Sequence, residues 1–154
     1  MDYSKTICGT VYVIHDMHVL LHLHKKYHTW FPLGGHTEAN EFPYETAIRE
    51  AKEEAGLDIK LLETYHLPNM DIGRVVNVPL PFCTYNENSG YDEDYYDFIF
   101  VGIPLSLDIK PNTGESQVLK WFSENEIRSS SDIKPHIKNT ALAILDYIRN
   151  RKEE

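Results

Sequence analysis

Three glutamates, Glu50, Glu53 and Glu54, stand three and four residues apart in a stretch, 44–55, that contains neither glycine nor proline. On a helix turning about 100° per residue they fall within one arc of roughly 100°. Tyr44, Ala47, Ile48, Ala51 and Ala55 fall within a second arc of the same width. Like charges at i,i+3 and i,i+4 destabilise an isolated helix by a few tenths of a kcal/mol each. The macrodipole also disfavours anions in the C-terminal half of a helix. Arg49 and Lys52 offset part of this cost, and a cation at the patch would offset more. Hard divalent cations prefer carboxylate oxygens, and Mg²⁺ typically takes one or two of them together with substrate phosphates. A solvated Glu/Lys face is the plain alternative that the wheel alone leaves open.

The elements that must position this patch can be read in outline. Residues 43–55 are predicted as a helix, with Pro43 suited to the first turn and Gly56 to the left-handed position just past the end. The apolar face is mostly alanine, so this helix can lie close to a sheet. Residues 6–14, rich in β-branched and aromatic side chains, are predicted as a strand. Residues 15–18 form a turn and 19–24 return as its hairpin partner. Residues 29–35 end in the pair Gly34-Gly35, where the backbone can go where other residues cannot. Further strands are predicted at 57–65, 74–85, 95–105 and 118–122, with Pro79 and Pro81 demoting the middle of the second to an edge, bulge or break. Residues 123–127 read as a small capped helix, and 135–151 as an amphipathic helix with Ile137, Ala141, Ile144, Leu145 and Ile148 at helical spacing. The pattern implies a mixed sheet with helices packed on it, an α/β (α+β) arrangement, in a single domain over 1–154.

Composition narrows the function classes. With 42% hydrophobic and 25% charged residues the 154-residue chain is an ordinary globular mix. A formal net charge of −9 argues against a duplex nucleic-acid binder, which needs a basic stripe. Cys8 and Cys83 belong to no CxxC or His/Cys metal pattern and read as free, small hydrophobes. The N-terminus carries no basic-then-apolar signal pattern, and no apolar run approaches the roughly 20 residues of a membrane span. A soluble, cytoplasmic protein without membrane attachment is the expectation.

The motif containing the glutamates is more specific than the wheel. The pattern G-x5-E-x7-R-E-U-x-E-E-x-G-U, with U a bulky aliphatic, is met by Gly35, Glu41, Arg49, Glu50, Ala51, Glu53, Glu54, Gly56 and Leu57. Seven Gly, Glu and Arg positions match in register; at ordinary residue frequencies that has a chance on the order of 10⁻⁸ per start site. The segment resembles the signature box of the Nudix hydrolases. It departs at Ala51, smaller than the usual aliphatic, and at Asn40, where glycine is frequent but where Asn tolerates the left-handed conformation. The resemblance implies a Nudix-type mixed sheet sandwiched between helices. It implies Mg²⁺, with Mn²⁺ able to substitute, held by Glu50 and Glu54 directly, by Glu53 through water or directly, and by the Gly35 carbonyl. Arg49 would hold the carboxylates through charge-assisted hydrogen bonds, beside a simpler i,i+4 pairing with Glu45. Glu41 would tie the loop to the helix start, and Gly56 would end the helix. The catalytic set implied is Glu50, Glu53 and a carboxylate from outside the box. Glu115, after Asn112-Thr113-Gly114, is the first choice, with Glu93, Asp94 and Asp97 as rivals.

The activity implied is cleavage of a phosphoanhydride in a nucleoside diphosphate linked to another moiety: a nucleoside triphosphate, a nucleotide sugar or ADP-ribose. A Nudix-fold sensor that binds nucleotide without cutting it is the alternative, and the intact glutamate set speaks against it. An RNA-end hydrolase is disfavoured by the negative charge. A homodimer is compatible with the sequence. His22 and His24 alternate on one strand face, so zinc is conceivable there, yet no third ligand follows from spacing. His24-Lys25-Lys26 could touch phosphate or be a solvated hairpin end. Trp30, Phe82, Tyr85, Tyr91, Tyr95 and Tyr96 could stack a base or simply be core. The acidic stretch 86–94 reads as a lid or a hairpin tip.

Overall fold

A computed structural model of the protein describes residues 5–65, 68–88 and 94–151. At its centre β1 (Lys5–His15) runs parallel to β7 (Asp94–Pro104), paired from Lys5↔Asp94 to Val13↔Gly102. The other edge of β1 is shared. Its first half pairs antiparallel with β4 (Leu33–His36) and its second half with β2 (His18–Leu23). β2 in turn pairs with β3 (Trp30–Phe31) and β8 (Leu119–Phe122). β7 carries the short β5 (Ile59–Leu61) at one end and β6 (Cys83–Asn88) at the other.

Strand alternation divides the core between the two faces. Val11, Val13, Leu20, Leu33 and Phe100 face α1 (Pro43–Ala55), whose Ala47, Ala51 and Ala55 are fully buried against them. Tyr12, Ile14, Val19, Leu21, Ile99 and Val101 face α2 (Glu124–Ser129) and α3 (Pro135–Arg151). The mixed sheet between helices is the architecture expected. Alanine brings α1 close to the sheet, and the position of that helix fixes the glutamates.

Local signals explain the boundaries. Asp16 and Met17, both with positive φ, make the two-residue turn joining β1 and β2. Pro43 starts α1, and Gly56 (φ 70°) ends it while its N–H reaches back to the last turn. Ser123 and Glu126 form a reciprocal capping box at α2. Asn40 does take the left-handed conformation (φ 64°).

Three expectations are corrected. The strand expected at 57–65 is confined to Ile59–Leu61, because β7 ends at Pro104 on one side and β6 takes the same edge of β7 from Ile99 on the other. The strand expected at 74–85 begins only at Cys83; Val75, Val76 and Val78 are exposed, with one isolated bridge between Ile72 and Val75. On α1 the buried face is turned away from Ile48, which is 39% exposed, toward Thr46 and Glu54, which are 0% and 7% exposed. A fully solvated acidic face is thereby ruled out.

Candidate functional site

The loop from Thr37 to Phe42 and the first turns of α1 are locked by Arg49. Its Nε donates to Glu41 Oε2 at 2.9 Å, one terminal nitrogen to Glu41 Oε1 and the His36 carbonyl at 3.1 Å, and the other to Glu50 Oε1 and Glu53 Oε2 at 3.1 Å. Only a planar five-donor guanidinium can serve that many acceptors at once. No ion pair to Glu45 forms among the described residues. Glu41 also accepts from Thr46 Oγ1 at 2.5 Å and from the Glu38 amide at 3.2 Å. The Arg49 hydrogen bonds hold the Glu41 carboxyl down at about 2 and push the Arg49 guanidinium up.

Glu54 lies on the other side of α1's acidic face. Its Oε1 accepts from the Gly34 amide at 2.7 Å, and its Oε2 lies 3.5 Å from His22 Nε2. Burial first, then the charge of Glu50, pushes its carboxyl up to about 9. Burial pushes His22 down to about 4. At neutral pH, without a cation, this contact therefore joins a neutral imidazole to a neutral acid and is no ion pair. Among the described residues His22 Nδ1 is buried with no hydrogen bond of ordinary geometry. Glu50 is raised chiefly by burial. A Cβ built on Gly35 would fall 2.3 Å from Glu50 Oε1, so the carboxylate occupies space that only glycine leaves free.

Glu115 reaches the same place from far along the chain. The loop before β8 is tied to the end of α1: the Lys110 amide donates to the Ala55 carbonyl and the Asn112 amide to the Glu53 carbonyl, both at 2.8 Å. These bonds satisfy carbonyls that a helix end leaves orphaned. The negative charge of Glu115 contributes to raising both Glu50 and Glu54. Of its rivals, Asp97 lines the same cleft, Asp94 opens β7, and Glu93 lies outside the described residues, as does Tyr91.

Of the α1 carboxylates, Glu54 opens into a cleft of about 930 Å³ where β2 and β4 part from each other along β1. Gly34, Gly35, His22 and Glu54 form one end; Thr10, Tyr85, Glu87 and Asp97 line the wall toward β6 and β7. Tyr27, Phe31, Lys26 and Lys134 form the rim, with the Lys134 ammonium 5.0 Å from the Tyr27 ring centre. Of the aromatics that could stack a base, Tyr85 and Tyr95 line the cleft, while Trp30 and Phe82 pack against the core. His22 and His24 share a face, their rings 6.2 Å apart.

Among the described residues no three His, Cys, Asp or Glu side chains converge closely enough to hold a metal ion. Arg49 stands between Glu50 and Glu53, and Glu54 turns to the Gly34 amide. The donor set nevertheless fits a hard dication. Two adjacent carboxyls, Glu50 and Glu54, raised chiefly by burial and by neighbouring negative charge that a cation would offset, offer oxygen and no sulfur. Sequence reasoning did not assign Thr10 or Thr46. Thr10's alternation with Cys8 and Tyr12 on one face of β1 was the available signal. Cys8 and Cys83 are both free, and no helix among the described residues is long and apolar enough to cross a membrane.

Comparison with known proteins agrees with this arrangement. The chain is 34% identical over 101 residues to a Mycobacterium tuberculosis protein provisionally named an 8-oxo-dGTP diphosphatase; the match takes in 64% of this chain and 39% of that protein's length. The structure of a hydrolase of the NUDIX family from Clostridium perfringens superposes with a TM-score of 0.81 at 33% identity, covering 93% of this chain and 97% of the other. A C. elegans Ap4A hydrolase shares the fold at 18% identity, with a TM-score of 0.68 over 95% and 98% of the two chains. The model of the NUDIX domain matches residues 8–142, and on that match the chain belongs to the Nudix family.

Proposed function

We propose that this protein is a Mg²⁺-dependent pyrophosphohydrolase that cleaves a phosphoanhydride bond in a nucleoside diphosphate linked to another moiety. The observation that carries the reading is the buried Glu54 carboxyl at the glycine-walled end of a cleft large enough for a nucleotide, with the half-buried Glu50 packed against Gly35. Glu50, Glu54 and the Gly35 carbonyl would hold the cation, with Glu53 as a further ligand, and Mn²⁺ could replace Mg²⁺. When bound, the cation neutralises diphosphate charge and makes an attacking water more acidic.

The chain's own residues supply the positioning. The Gly34 amide fixes the Glu54 carboxylate, and Arg49 fixes Glu41, Glu50 and Glu53 relative to one another. Glu50 and Glu115 are the candidates to accept the proton of the water, both near enough for their charge to act on Glu54, with Glu50 held in place by the Arg49 guanidinium. Catalysis of this kind is mainly orientation and electrostatics, which suits groups held on a helix and a tethered loop. Names of relatives, an 8-oxo-dGTP diphosphatase and an Ap4A hydrolase among them, support a nucleotide with linked phosphates as the substrate class.

The test is a panel of nucleoside triphosphates, nucleotide sugars, ADP-ribose and dinucleoside polyphosphates, each with Mg²⁺, with Mn²⁺ and with chelator. Metal-dependent turnover of at least one is expected, with near-total loss in Glu54→Gln at unchanged secondary structure. Saturable nucleotide binding without turnover across the panel would replace this reading with that of a sensor.

A further inference from the structure

The wall of the cleft opposite the glycines holds a carboxylate that the chemistry above does not use. Asp97 sits on β7 on the same face as Ile99 and Val101 and lines the cleft beside Thr10 and Tyr85. Its Oδ1 accepts from Thr10 Oγ1 at 2.7 Å. Among the described residues the influences on it are burial, the Thr10 bond and the negative charge of Glu87, with no cation. Glu87 faces His136 at 3.9 Å, and Tyr85 is bonded to Thr140, so neither supplies Asp97 with a positive partner. Asp97 is half-buried, and a charge withdrawn from water is normally paired or bound to a ligand, because desolvation without a partner is costly.

Thr10 also locates Asp97 relative to the reacting end. A Cβ on Gly34 would lie 2.6 Å from Thr10 Oγ1, and the Gly34 amide is the donor to Glu54. Thr10 and Gly34 therefore stand between Asp97 and Glu54, which sets Asp97 apart from the metal-binding end and on the side where the group bonded to the phosphates would lie. A phosphate at this wall would be repelled by the carboxylate. A cation would find no second and third ligand there among the described residues. An apolar group would leave the carboxylate desolvated and unpaired. What remains is a neutral group that donates a hydrogen bond.

We propose that Asp97, oriented by Thr10, is a specificity-determining acceptor that binds an O–H or N–H donor on the nucleoside part of the substrate, either a ribose hydroxyl or a base amino or ring N–H group. The proposal rests on the cleft being a nucleotide site. Thr10 occupies one carboxylate oxygen and so fixes the rotamer, leaving Oδ2 for the ligand. Burial raises the Asp97 carboxyl to about 6, so it is an acceptor at neutral pH.

The experiment compares kcat and KM of the wild-type protein, Asp97→Leu and Asp97→Asn on matched substrate pairs. Ribose is set against 2′-deoxyribose and 3′-deoxyribose, guanine against hypoxanthine, and adenine against purine. The wild type should favour the donor-bearing member of one pair about 10- to 100-fold, the range of a lost hydrogen bond to a charged group. Asp97→Leu should lower kcat/KM by that factor, through KM, for that member alone, and erase the preference. The pair that responds tells ribose from base. Asp97→Asn keeps the shape and the bond from Thr10; it must also weaken the preference, and a thermal melt confirms its fold. Equal kinetics within every wild-type pair, equal loss across all members in both variants, or a shifted Mg²⁺ midpoint in their place overturns the proposal. If no substrate turns over, the same pairs are measured as α,β-methylene analogues by calorimetric binding with Mg²⁺. A preference in affinity that Asp97→Leu abolishes then upholds the acceptor although cleavage fails, and no binding at all overturns both.

Discussion

Gly35→Ala should separate the placing of a carboxylate from the stability of the fold. A Cβ at this position would lie 2.3 Å from Glu50 Oε1 and 2.9 Å from its Cδ, with Cγ next at 3.5 Å and no backbone atom among the three nearest. Gly35 is not among the residues with positive φ, so alanine meets no conformational strain there. The Glu50 carboxylate is what must yield, by about 1 Å, to reach ordinary van der Waals contact. Misplacing a positioning group by about 1 Å can cost on the order of 10²-fold in rate. Initial rates across a Mg²⁺ titration should therefore show kcat down about 100-fold and a raised Mg²⁺ midpoint, while the thermal midpoint moves by no more than about 4 °C. Gly34→Ala is the contrasting case: its Cβ would meet the Gly9 carbonyl and Thr10 Cα at 2.8 Å, which are backbone, and it should lose stability outright. Wild-type rates and an unshifted Mg²⁺ midpoint in Gly35→Ala would refute the argument that the glycine exists to seat Glu50.

Arg49→Lys removes a fork that serves Glu41, Glu50, Glu53 and the His36 carbonyl together; stability should fall by about 1–3 kcal/mol in urea titration, and kcat/KM with it. Gly56→Ala places a Cβ 2.2 Å from the Lys110 carbonyl at φ 70°, and should lower the unfolding free energy by more than about 1 kcal/mol, read as a lower urea midpoint with m unchanged. Asp97 titrates at about 6 in the fold against an ordinary 3.8. Between those values the folded state keeps a proton that the unfolded state has lost, so stability falls as pH rises through that window, by up to about 3 kcal/mol. Asp97→Asn should abolish that slope in melts taken from pH 3 to 8 and be the more stable protein at pH 7.

How far the sequence foretold the molecule depends on whether a feature was local. The limits of α1 were legible because Pro43 and Gly56 act within one turn. Which face of α1 is buried was not, because the loop carrying Thr37 and Glu41 covers the Thr46 side and nothing in the helix itself announces that. Glu54 lies only about 20° from Ala47 on the wheel, at the border of the apolar arc, so packing could draw it inward. Val75, Val76 and Val78 have strand-forming side chains, yet β5 and β6 already take the described pairings along that edge of β7. The arrival of Glu115 depends on backbone bonds between the 110–112 loop and the end of α1, a contact that spacing cannot encode.

The cleft owes its existence to main chain: β4 holds one half of an edge of β1 and β2 the other, and the two strands separate between them. Such an opening is inherited with the hydrogen-bond register, so it should be present before any ligand arrives and survive most side-chain replacement around it. Substrate preference can then drift through changes at the mouth, near Tyr27, Phe31 and Lys134, without disturbing the acids beneath. Reaction and selectivity would be inherited as separate traits of one scaffold.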